Sequence, residues 1–74
     1  MKGMLIMKNV IKRNAISIIG TSDINTNATK QGDKIHATKT DNGWTMLNYR
    51  TGKYYQCFAD FLRQHVTITE QITV

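Results

Sequence analysis

The clearest pattern in the chain is at its end. Val66, Ile68, Ile72 and Val74 alternate with Thr67, Thr69, Gln71 and Thr73, and only Glu70 interrupts the apolar set. A period of two built from β-branched residues predicts a strand. Residues 33–40 read as a second extended run and Trp44 to Arg50 as a third, with Asp41-Asn42-Gly43 between them. Asn-Gly between two such runs predicts a two-residue hairpin turn. With Asn42 and Gly43 central, Lys39 faces Met46, Ala37 faces Asn48 and His36 faces Tyr49. Arg50-Thr51-Gly52 reads as a three-residue loop with Gly52 left-handed, because threonine suits a primed turn poorly. That loop pairs Tyr49 with Lys53 and Leu47 with Tyr55, giving a three-stranded meander over 33–56.

After the meander, Phe58, Phe61, Leu62 and His65 recur at helical spacing within Cys57–His65, which predicts one short helix. Val10–Ile19 reads either as one strand, with Gly20 as its stop, or as a hairpin turning near Arg13-Asn14. Residues 20–32, rich in Thr, Asn and Ser, read as a polar loop. The predicted architecture is α+β: a small, mostly antiparallel sheet, a β-meander with a C-terminal strand, and one short helix.

The 74 residues suffice for a single domain, 1–74. Such a domain buries little surface and is marginal alone, so homodimerisation is a natural expectation. One cysteine permits no internal disulfide and fits a reducing compartment. The apolar run Met4-Leu5-Ile6-Met7 is too short for a signal core or a membrane span. We therefore expect a cytoplasmic protein without membrane contact. Methionines at 1, 4 and 7 make Met7-Lys8-Asn9 as natural a beginning as Met1, so residues 1–9 are read as disordered or upstream of the start.

Net charge is +5, from ten Lys/Arg against five Asp/Glu. The sign suits nucleic acid or an acidic protein and excludes an acidic imitation of DNA. It does not suggest a membrane-surface peptide, because the only helix candidate carries one basic residue, Arg63.

Alternation across the meander divides its side chains between two faces. Ile35, Ala37, Trp44, Met46 and Tyr54 form the expected core face, with Lys39 and Asn48 at its rim. Lys34, His36, Thr38, Leu47, Tyr49, Lys53 and Tyr55 form the other, where rings and cations mix as they do where bases stack and phosphates are met. Arg50 joins Lys53 at the turn, with no anion expected between them. The candidate binding residues are therefore Lys34, His36, Tyr49, Arg50, Lys53 and Tyr55. Lys12-Arg13 is a lesser basic pair.

No catalytic or cofactor set is evident. Cys57, His36 and His65 lack zinc-ligand spacing, and Cys57 and His65 lie about two helical turns apart if both are helical. The five carboxylates Asp23, Asp33, Asp41, Asp60 and Glu70 are dispersed, and no two glycines make a phosphate loop. We expect a non-enzymatic protein without metal or cofactor.

The run Trp44-Thr-Met-Leu-Asn-Tyr-Arg-Thr-Gly-Lys-Tyr-Tyr, followed by Phe58-Ala-Asp-Phe-Leu-Arg, resembles small phage or prophage open reading frames. It also resembles the three-strand-plus-helix modules of phage integrase arm-binding domains, which read DNA with the sheet. The resemblance implies an accessory protein that acts by binding, either to nucleic acid or as a regulator or inhibitor of a host or defence protein.

Overall fold

The computed structural model describes residues 10–74. The expectation for residues 1–9 lies outside them. The elements are β1 (Ala15–Ser22), β2 (Lys34–Thr40), β3 (Gly43–Asn48), β4 (Lys53–Cys57), α1 (Ala59–His65) and β5 (Val66–Thr73). The strands form one antiparallel sheet in the order β4-β3-β2-β1-β5. Four strands follow one another as a meander. The chain then crosses through α1 and returns as β5 on the free side of β1. This is the expected α+β fold.

Alternation sets the core. Ile18 on β1, Ile35 and Ala37 on β2, and Trp44 and Met46 on β3 are all buried and share one face of the sheet. Leu62 of α1 and Val66 of β5 close onto them, with Ile11, Ala28, Tyr55 and Phe61 packed around the margin. Leu62 is the only fully buried residue of α1, so a short helix suffices as a lid. Asp60 in its first turn and Arg63 and His65 in its last complement the helix dipole.

The turns differ from expectation in informative ways. In the first hairpin Thr40 pairs with Gly43, so Asp41 and Asn42 form the turn and the register shifts by two residues: His36 faces Leu47 and Ala37 faces Met46. A two-residue shift preserves the faces. Gly43 is needed for a different reason, because a Cβ there would lie 2.9 Å from the Cys57 carbonyl oxygen, at a φ of 138°. In the second hairpin Asn48 pairs with Lys53, leaving a four-residue loop, 49–52. Gly52 is left-handed as expected, with φ 73°. The extra residue comes from Asn48, whose side-chain oxygen accepts from the Arg50 N–H and whose carbonyl accepts from the Gly52 N–H. Asparagine thus begins the turn one residue early.

That single residue turns β4 over. Tyr55, expected on the basic face, pairs with Met46 and lies on the core side, half-buried. Tyr54, expected in the core, pairs with Leu47 on the outer side and is 69% exposed.

Strand β1 runs through Gly20, expected as a stop, to Ser22. A Cβ at Gly20 would overlap the Thr67 carbonyl oxygen, so the glycine admits β5 closely. Of the alternatives for Val10–Ile19, the structure has a turn at Arg13-Asn14 followed by β1, with no strand before the turn among the described residues. The β5 register on β1 slips where Ile19 faces Glu70 but Gly20 faces Ile68. This bulge puts Ile72 on the face opposite Val66 and Ile68, which simple alternation had placed with it. Residues 23–33 are less solvated than expected: Thr29 is buried and hydrogen-bonded to Ser22 Oγ.

Candidate functional site

The helix lies on the core side of the sheet, and the described residues contain no second helix to cover the other side. The pairings trace cross-strand rows on that outer face. One row runs Tyr54, Leu47, His36, Ile19, Glu70. The next runs Gln56, Thr45, Thr38, Ser17, Ile72. At the loop end, Lys34 sits beside Thr21 on β1, and its carbonyl accepts the Tyr49 N–H.

Three of the six expected residues meet here. The Lys34 ammonium stands 5.1 Å from the Tyr49 ring centroid, within cation–π range. His36 meets the same ring edge-on at 6.4 Å, and Tyr49 Oη lies 3.4 Å from His36 Nδ1. His36 Nε2 is buried and has no hydrogen-bond partner among the described residues. Tyr49 remains 45% exposed, and Tyr54, which the sequence reading missed as an outer residue, extends the face toward the β4 edge. The signal that would have found it is Asn48, a strong turn-former one residue before Tyr49, the expected last strand residue.

The other three are placed differently. Tyr55 is on the core side, as above. Lys53, paired with Asn48, alternates to the core side and is exposed at the strand end. Arg50 is not an unpaired cation beside Lys53: its Nε donates to Asp33 Oδ1 at 2.7 Å. Asn48, expected at the rim, is fully buried. Its Nδ2 donates to Asp33 Oδ2 (2.9 Å) and to the Ala28 carbonyl (3.0 Å), while the Lys30 N–H also donates to Asp33 Oδ2. The hydrogen bonds from Arg50, then Asn48, then Lys30 hold the Asp33 carboxyl well below its ordinary range, and Asp33 in turn raises Arg50. This cluster is an anchor tying the 23–33 loop to the second hairpin.

On the core side, a cleft of 580 Å³ opens between α1, β4 and the loop. Met46, Tyr55, Phe58 and Phe61 supply its apolar wall, with Cys57 and His65 also lining it. Cys57 lies on β4 rather than on the helix, so the two share this cleft despite their separation in the chain. Burial raises the Cys57 thiol, which keeps it protonated and a poor nucleophile. The His65 ring packs edge-on against Phe61 at 5.2 Å. Phe58, expected on one helical face with Phe61, Leu62 and His65, is instead the N-cap residue and 73% exposed.

Among the described residues, no three His, Cys, Asp or Glu side chains are grouped to hold a metal, and no helix is long and apolar enough to cross a membrane. Comparison with protein-family models, curated proteins and solved structures finds no match to this chain.

Proposed function

We propose that the protein is a non-enzymatic binding protein that takes single-stranded nucleic acid on the outer face of its sheet. The observation that carries this reading is the Lys34 ammonium over the exposed Tyr49 ring, with Tyr54 exposed on the same face. Rings on a sheet offer stacking platforms tolerant of any base, and a cation among them meets the backbone phosphate. The chain's net charge of +5 favours the approach of a polyanion.

The test is fluorescence anisotropy of labelled single-stranded DNA and RNA at low and physiological salt. Tyr49→Ala and Tyr54→Ala each remove a stacking ring, which is worth about 1–3 kcal/mol, or roughly 5- to 150-fold in affinity. Lys34→Ala lowers the salt slope by about 0.7, the loss of one phosphate contact on a single strand. Arg50→Ala is a poor probe because it also releases Asp33. Absence of binding at low salt, or binding indifferent to all three substitutions, refutes the reading.

The cleft beside α1 favours a second reading, in which the chain is an accessory factor or inhibitor whose protein partner inserts an apolar side chain among Tyr55, Phe58 and Phe61. That mode is insensitive to salt and to Lys34→Ala, and is weakened by Phe58→Ala.

A further inference from the structure

Among the described residues the sheet has two edges, and they are built differently. Along β5 the ladder is broken by the bulge before Glu70. A bulge and a charge are the devices that keep an edge strand from pairing with another chain. Strand β4 has no bulge, and its one charge, Lys53, stands at its first residue. Its register on β3 is unbroken from Trp44↔Cys57 to Asn48↔Lys53. It carries Tyr54 and runs directly into Phe58, which is still extended at φ −102°, ψ 162°, and both rings are largely exposed. An exposed, regular, aromatic edge is a template for another strand.

We propose that β4 pairs antiparallel with β4 of a second copy about a two-fold axis at Gln56, joining two five-stranded sheets into one. Continuity of the faces, with both helices on one side, requires residues of like parity to face each other across the seam. Among such registers the chemistry selects one. With the axis at Gln56, Tyr54 faces the partner's Phe58 and Tyr55 faces the partner's Cys57. Lys53 lies at the end of the pairing, where the partner's α1 begins, which brings its ammonium toward the partner's Asp60. The Asp60 carboxylate is 82% exposed and bonded to Arg63 at 3.0 Å, which leaves it open to a second cation. Symmetry repeats both contacts. Moving the axis one residue, to Tyr55 or to Cys57, removes the Tyr54–Phe58 pair. The joined sheet would also merge two outer faces, bringing the Tyr54 of each copy to the seam.

The register makes the test sharp. Residues facing each other across an antiparallel pair have Cα atoms about 4.5–5.5 Å apart, within disulfide reach. Gln56→Cys in a Cys57→Ser background is expected to crosslink to a dimer on mild oxidation. Thr38→Cys in the same background, exposed on an interior strand, is expected to stay monomeric. For the unaltered chain, sedimentation equilibrium should show the mass rising from 8.5 kDa toward twice that value with concentration. Lys53→Glu should weaken association roughly fivefold, and adding Asp60→Lys should restore it. A mass that stays at the monomer value throughout overturns the proposal. So does a dimer in which Cys at position 56 fails to crosslink, which would place the interface elsewhere. Neither outcome bears on nucleic-acid binding by the monomer.

Discussion

Replacing Asn48 should expose how much the second hairpin depends on one buried amide. Its side chain donates to the Ala28 carbonyl and to Asp33 Oδ2, and accepts from the Arg50 N–H. Two bonds to neutral backbone groups are worth about 1 kcal/mol each and the bond to the carboxylate about 1.5–3, so Asn48→Ala should cost about 4 kcal/mol. A chain of 74 residues has roughly 4–11 kcal/mol in total. The variant should therefore sit near its unfolding threshold, with its melting temperature lowered by roughly 16–30 °C. Trp44, the only tryptophan and 4% exposed, reports the transition by fluorescence in urea. Asn48→Asp sharpens the test. It keeps the acceptor for Arg50 but sets a carboxylate oxygen where the amide nitrogen stood, 2.9 Å from Asp33 Oδ2. It should be less stable than Asn48→Ala near neutral pH, and should recover as pH falls through the carboxylate range and a shared proton restores a donor. A cost for Asn48→Ala below about 1 kcal/mol, or a deficit in Asn48→Asp that ignores pH, would refute the account of this cluster.

Three further substitutions have expected outcomes on the same structure. Asp33 is held below its ordinary 3.8, so its contribution is present above that value and is lost as pH falls through the depressed one. Asp33→Asn should therefore be less stable than the wild type near neutral pH, and the gap between their denaturation midpoints should narrow in acid below about pH 4. Gly20→Ala should cost about 2–4 kcal/mol in urea melts, because the new methyl would overlap the Thr67 carbonyl and lie 2.9 Å from Val66 Cγ1. Gly52→Ala, with open space around it despite its positive φ, should cost less.

Strands β2, β3 and β5 and the helix were legible because their periods are clean: alternation on β2 and β3, threonine interleaving on β5, helical spacing from Phe61 to His65, whereas the stretch containing β1 offered two alternatives. The meander and its core face follow from that pattern. The register was only partly legible, because it depends on which residue starts each turn. At Asp41-Asn42-Gly43 the ambiguity was worth two residues and harmless to the faces. At the second loop it was worth one, which exchanged Tyr54 with Tyr55 and altered the candidate site. The bulge near Thr69 and the close approach at Gly20 are products of β1–β5 packing, and no local pattern announces them. Nor could spacing reveal that Asp33 is the anion for Arg50, since the two are 17 residues apart and meet only when β2 and the second hairpin lie side by side. Lys34, His36 and Tyr49 were assigned to one face correctly because that face depends only on the first hairpin, whose parity survived.

The placement of β5 beside β1 has a consequence for how the chain reaches this state. Strands β1 to β4 pair with sequence neighbours and can zip together as soon as each turn forms. The sheet cannot be finished that way, because the second neighbour of β1 is β5, which follows β2, β3, β4 and α1 in the chain. Lys12 N–H closes on Gln71 across 59 residues, and Gln71 Nε2 on the Val10 carbonyl across 61. On a ribosome, β1 would wait with one side bare until β5 has emerged. The final strand is thus the latch of the fold, and the bulge and the tight seat at Gly20 give that late arrival a single register to find.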